Sequence, residues 1–173
     1  MLVAATLVVF PFCMLFASIS DLLSMTIANR VSIILLVAFA VLAPLTGMDW
    51  TTYGWHFLAG ALVLCVTFTL FALGGIGGGD AKLMTATAVW MGFGPLLLEY
   101  LINATFLGGL LTVGILLFRK SPFAVLYGGN VFLRNFTDQV SGVPYGIALG
   151  VAGLMVYPKT AVVVAALQQM VSP

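Results

Sequence analysis

The sequence predicts an all-α polytopic membrane protein of about six transmembrane helices, with a short cytoplasmic interfacial helix between the fifth and sixth. Three observations carry this. Hydrophobic residues make up 62% of the 173-residue chain and charged residues 6%, too few to cover the surface of a water-soluble domain. Mean hydropathy is +1.21. The apolar runs are long, and at about 20 residues per span there is room for about six spans and little else. Residues 1–173 are therefore expected to form a single integral membrane domain in contact with the lipid bilayer. The net charge of +1, without a long basic run, gives no reason to expect a nucleic-acid partner.

The first helix is expected over residues 2–18, with Pro11 inside it, as membrane helices tolerate. It lacks a basic leading region and its apolar run exceeds that of a signal peptide, so it reads as a span. Residues 20–30 are the first polar stretch and contain Asp21. Asn29 suits a helix cap, and Arg30 can reach lipid headgroups. The second helix covers residues 31–43 and stops at Pro44 and Gly47. Asp49 and Trp50 mark an interface, and the third helix runs over residues 53–73 with Trp55 as an anchor. A fourth helix begins near Asp80 and ends by Gly92. Pro95 suits the first turn of a fifth, over residues 95–118.

Residues 119–142 form the one long polar segment. Phe132, Phe136 and Val140 recur every four residues, with Arg134 and Asp138 on another face, as in a helix lying on a membrane surface. The sixth helix spans residues 143–167, with Pro158 bending it or ending it early. Cys13 and Cys65 lie in apolar runs and read as small buried hydrophobes, with neither a disulfide framework nor a metal site expected.

Six spans place Arg30, Lys82, Arg119, Lys120 and Arg134 on one side and only Lys159 on the other. The positive-inside rule makes the first side cytoplasmic. Asp21 and Asp80 then both sit at cytoplasmic helix ends, while His56, Asp49 and Glu99 fall at the opposite interface. From Asp80 to Phe93 is 14 residues, roughly 21 Å of helix against a hydrocarbon core of roughly 30 Å. A short helix beside a polar loop implies a recessed mouth, where irregular backbone is tolerated if it lines a wet cavity.

The most unusual stretch is Gly74-Gly75-Ile76-Gly77-Gly78-Gly79-Asp80-Ala81-Lys82, five glycines in six residues and then an acid and a base. Acids in membrane segments are rare and mark function. Two carboxylates about 3 Å apart share one proton, so one can activate water while the other protonates the reacting group. Asp21 and Asp80 are the candidate pair. Gly77, Gly78 and Gly79 would let an extended substrate backbone approach Asp80, although glycines also let membrane helices pack closely. Lys82 reads first as a snorkelling residue that balances the charge of Asp80.

Gly77-Gly78-Gly79-Asp80-Ala81-Lys82-Leu83 resembles the G-x-G-D-x-K-L motif of prepilin peptidases, also called type IV leader peptidases. Asp21 with Ile27-Ala28-Asn29 is similar to that family's other motif, an aspartate followed by I-P-N, with Ala28 where the family has proline. Pro144-Tyr145-Gly146 is similar to a proline-aromatic-small element in the last helix. The resemblance implies a membrane aspartyl endopeptidase with Asp21 and Asp80 as its catalytic pair and no cofactor or metal. Gly77, Gly78, Gly79, Asn29 and Lys82 are the candidate substrate-binding residues. It also implies a pilin precursor as substrate, cleaved on the cytoplasmic face of the bacterial inner membrane, and pilus or secretion assembly proteins as possible partners. Without the cysteine-bearing, methyltransferase-active N-terminal region of larger relatives, the chain resembles the short CpaA/TadV-like branch that serves Flp-type tight-adherence pili. The alternative is a small transporter or ion-relay subunit using the same acids. A non-catalytic assembly subunit would leave both acids unexplained.

Overall fold

The protein, represented by a computed structural model, is described over residues 1–121 and 142–171. All regular structure among these residues is helical: α1 (Leu2–Ser24), α2 (Asn29–Leu45), α3 (Trp50–Ala72), α4 (Gly78–Met91), α5 (Pro95–Arg119), α6 (Gly146–Val156), a 3-10 turn (Tyr157–Lys159) and α7 (Ala161–Val171). The expected all-α membrane architecture is the one observed. Helices α1, α3 and α5 are long and apolar enough to cross a bilayer, and α6 with the 3-10 turn and α7 reaches that length and composition only as a pair bent by 46°. Helix α2 has 17 residues and α4 has 14, so both are shorter than a full crossing. The surface helix expected around Phe132, Phe136 and Val140 lies outside the described residues.

Helix α4 is the centre of the bundle. It packs chiefly on α3, and also touches α2, α5 and α6; α1 and α5 close over α6. Eight of its residues are buried, ending in Thr87, Ala88, Val89, Trp90 and Met91. Lipid offers no hydrophobic drive between helices, so close packing and internal hydrogen bonds must hold them together. Trp90 supplies both. Its ring meets Phe10 at 5.2 Å and Phe39 at 5.5 Å, and its Nε1–H donates to the Leu35 carbonyl at 3.0 Å. Phe10 in turn stacks on Tyr157 at 4.2 Å, whose hydroxyl donates to the Thr6 carbonyl.

Small residues set the helix spacing. A Cβ on Gly60 would stand 2.4 Å from Val89 Cγ2, so α3 lies against α4 at a glycine. A Cβ on Gly150 would fall 2.0 Å from Ser18 Oγ and 3.0 Å from the Met14 carbonyl, which brings α6 onto α1 in the same way.

Several boundaries differ from expectation. Helix α1 runs on to Ser24, past the expected end at residue 18. Pro44 lies inside α2, and the turn comes afterwards at Gly47, where φ is +84°. Asn29 is the first residue of α2 rather than its cap. The capping position is Ala28, and no side chain caps that end. His56 is buried instead of interfacial: Nδ1 bonds the Val89 carbonyl at 2.7 Å and the ring stacks on Phe39 at 4.9 Å. Asp49 does sit at a helix end, where it caps α3 by accepting from the Thr52 N–H at 2.8 Å. Pro158 breaks the last span, as a residue without an N–H does within a helix. Beside it Lys159 pairs with Glu99 at 2.6 Å, an exposed contact worth little energetically.

Four substitutions test these packing and capping contacts. Gly60→Leu should destabilise the protein by about 1–3 kcal/mol by overpacking, seen as a lower thermal midpoint in detergent. Gly109→Leu, where no atom lies within 4 Å of the added Cβ, should stay close to wild type in the same measurement. Ala28 has φ −63°, the value proline imposes, and its N–H makes no hydrogen bond among the described residues. Ala28→Pro should therefore be tolerated and stabilise by about 0.4–1 kcal/mol through the unfolded state, read as a raised midpoint. The Thr52 amide holds the Asp49 carboxyl below its ordinary pKa. Such a group stabilises above the unfolded-state value of about 4 and loses that contribution as pH falls through the folded value. Asp49→Ala should thus lower the midpoint at neutral pH, with the gap to wild type shrinking below about pH 4.

Candidate active site

The last turn of α1 carries Asp21. The helix ends at Ser24 because Met25 adopts a left-handed conformation, φ +53°, while its N–H still bonds the Asp21 carbonyl at 2.8 Å. A non-glycine residue in this region is uncommon. Local hydrogen bonds hold the reversal: Ser20 Oγ donates to the Thr26 carbonyl at 2.9 Å, and Ser24 Oγ meets Thr26 Oγ1 at 2.8 Å.

Asp21 is only 6% exposed, and a buried carboxylate needs donors. One donor comes from across the bundle, where the Gly146 N–H reaches Asp21 Oδ2 at 2.7 Å. Gly146 is the first residue of α6, and first-turn N–H groups have no partner within their own helix. Asp21 thus caps a helix distant in sequence. Only glycine fits there, since a Cβ would stand 2.8 Å from Asp21 Oδ2 and 2.9 Å from Asp21 Cβ. Its neighbour Tyr145 donates to the Ala104 carbonyl at 3.1 Å, and its ring fills the space that a side chain on Gly108 would need. Ser18 Oγ donates to the Gly146 carbonyl at 3.2 Å. The start of α6 is therefore tied to both α1 and α5.

The glycine stretch divides into two devices. Gly74, at φ +76°, and Gly75 end α3: their N–H groups bond the carbonyls of Phe71 at 2.9 Å and Leu70 at 2.8 Å. This is the paired C-terminal closure that a left-handed glycine permits. Gly77 then caps α4 with an extended backbone, and Gly78 and Gly79 form its first turn. Asp80 is the third residue of α4, and its carboxylate lies against Gly77, with Oδ2 2.9 Å from where a Cβ on Gly77 would stand. Gly78 and Gly79 allow close approach: added Cβ atoms would lie 3.2 Å from the Phe71 ring and 3.1 Å from Ile27 Cβ.

These elements bring both acids to one place. Asp21 and Asp80 line a single cleft of about 300 Å³, walled by Met25, Thr26 and Ile27 on one side and Gly77, Gly78 and Gly79 on the other. They are near enough for the charge of Asp21 to act on Asp80. Two larger grooves of about 450 Å³, between α5 and α6 and between α1 and α2, are almost wholly apolar and contain neither acid.

The candidate binding residues divide. Gly77, Gly78 and Gly79 are in the cleft wall, whereas Asn29 and Lys82 are not. Lys82 Nζ instead donates to Asn29 Oδ1 at 2.9 Å, joining α4 to α2 at an exposed position. The expected charge balance with Asp80 is absent, because the ion pair among the described residues is Glu99 with Lys159. Gly146 and Ile27 are the site residues that motif reading did not assign. Both stand in motifs named above, Gly146 in Pro144-Tyr145-Gly146 and Ile27 in Ile27-Ala28-Asn29, but neither motif gives them a role in the cleft.

No curated protein and no solved structure matches the chain. The sequence model of the type IV leader peptidase family matches residues 8–113, a stretch that contains Asp21, Asp80 and both cleft walls. Helical membrane architecture and this match agree, and the chain belongs to the type IV leader peptidase family.

Proposed function

We propose that this protein is a membrane-embedded aspartyl endopeptidase that removes the leader of type IV, Flp-like prepilins, with Asp21 and Asp80 as the catalytic pair. The observation that carries the reading is the meeting of these two acids in one cleft, in a chain of a leader-peptidase family. Two neighbouring carboxylates share a proton. The ionised one takes a proton from water, which attacks the scissile carbonyl; the protonated one gives its proton to the carbonyl oxygen. Collapse of the resulting diol breaks the C–N bond and returns a proton to the leaving amine.

The Gly146 amide supports Asp21 on one side of the cleft, and Asp80 stands in the first turn of α4 on the other. The ends of α1 and α5 and the starts of α2, α4 and α6 gather at the cleft, so Arg30, Lys82 and Arg119 stand at the same end of the bundle as the acids. The positive-inside rule assigns that end to the cytoplasm. By this reading the enzyme sits in the bacterial inner membrane, forms one peptidase domain of the short CpaA/TadV-like branch, and works for a tight-adherence pilus or secretion assembly. Gly77, Gly78 and Gly79 lie beside the substrate strand. Asn29 and Lys82 brace α2 against α4 at the rim and would meet the substrate outside the cleft.

Asp21→Asn and Asp80→Asn should each reduce cleavage of a co-expressed prepilin by on the order of 10²–10⁴-fold, with membrane insertion and abundance unchanged. Normal processing by either variant would sink the proposal. Asp80-dependent ion flux in proteoliposomes, without cleavage, would point to transport instead.

A further inference from the structure

Residues 26–28, between α1 and α2, form no helix, and Ala28 is extended at φ −63° and ψ 133°. The segment is pinned on both sides of Ile27. The Thr26 carbonyl accepts from Ser20 Oγ at 2.9 Å, and the Ala28 carbonyl accepts from the Val31 N–H at 3.0 Å. Ile27 itself is 9% exposed and wedged at the cleft. A Cβ on Gly79 would stand 3.4 Å from its backbone nitrogen, and a Cβ on Gly146 would stand 2.9 Å from its Cδ1.

Among the described residues, neither the N–H nor the C=O of Ile27 has a hydrogen-bond partner. More than nine in ten buried backbone groups in folded proteins are paired. At membrane depth an unpaired group is costlier still, and irregular backbone persists there only where it lines a cavity or is buried in protein. A buried residue with both groups unpaired, in the wall of a cleft that holds two carboxylates, has the properties of a main-chain binding edge.

We propose that residues 26–28 form a docking strand for an extended peptide. Ile27 exchanges its N–H and C=O with the C=O and N–H of one peptide residue, as in a hydrogen-bonded pair of antiparallel strands. The peptide then lies between this segment and the turn at Gly77, Gly78 and Gly79, with its scissile bond facing Asp21 and Asp80. The ligand class is an unwound polypeptide read through its backbone, so side chains at the paired position are tolerated widely, as in other strand-addition sites. A helical substrate must give up its own hydrogen bonds before cleavage, and Ile27 replaces two of them. The inference rests on the peptidase reading above.

The test uses the full-length protein in detergent and purified full-length prepilin. Replacing Ile27 by its α-hydroxy analogue exchanges the Thr26–Ile27 amide for an ester and removes the Ile27 N–H while keeping the side chain. The expected result is a KM raised about three- to tenfold, the scale of one lost hydrogen bond. In parallel, wild-type enzyme is given precursors N-methylated at one residue at a time across the cut. One position should lose cleavage at least about threefold, the scale of the other hydrogen bond of the pair. An ester enzyme with unchanged KM, or N-methylated precursors that are all cleaved at the normal rate, would overturn the docking strand. If the ester has no effect while Asp21→Asn and Asp80→Asn are inactive, the docking strand alone falls. If the wild-type protein leaves the precursor intact, the peptidase reading falls with it.

Discussion

Two carboxylates held among membrane helices, Asp21 buried and Asp80 half-buried, impose the constraint on which this structure depends. Neither acid has a nearby lysine or arginine as an ion-pair partner among the described residues. Asp21 instead takes a backbone N–H from the start of α6, at Gly146, and Asp80 stands in the first turn of α4, against Gly77. Helix starts carry unpaired amides and the positive end of the peptide dipoles, so they can meet an acid without burying a second charge. The contact between Asp21 and Gly146 bridges 125 residues of sequence and ties the end of α1 to the start of α6. Gathering these helix ends is what makes a cleft at one end of the bundle.

Glycine makes the approach possible at each junction, but for different reasons. Gly74 is needed for its left-handed backbone, which closes α3. Gly146 is needed for space, because any side chain would displace the Asp21 carboxylate. Gly108 is needed at a distance, as the seat for the ring of Tyr145, which holds the start of α6 in place. Gly60 lets α4 sit deep against α3 although α4 has too few residues to cross a bilayer by itself. The short central helix has 14 residues, carries Asp80 in its first turn and is held at its far end by Trp90.

The far end of the bundle carries none of this chemistry. There the last span bends at Pro158, Tyr157 stacks on Phe10, and Glu99 pairs with Lys159 at the surface. His56 is a structural residue of that end, bonded to the Val89 carbonyl and lying against Gly92. Its burial shows why an ionisable residue in a membrane helix cannot be assigned from its position along the helix alone: the side it faces decides between lipid, interface and core.

Much of this was legible in the sequence because it depends on local composition. Apolar runs mark helices, Pro95 begins one, and a run of glycines ending in an acid announces a special turn. The two acids and their motifs could be named, and the family match covers both positions. Local patterns did not reveal which partners those residues would meet. Asn29 looked like a cap and became the acceptor for Lys82; Pro44 looked like a stop and was absorbed into α2. The roles of Gly146 and Ile27 depend on contacts with residues far away in the chain, and no periodicity records such contacts. Composition and short-range pattern decide that a chain enters the membrane as helices, because each helix satisfies its own backbone. Which helix ends converge, and therefore where two acids can share a cleft, is settled only by packing between distant segments.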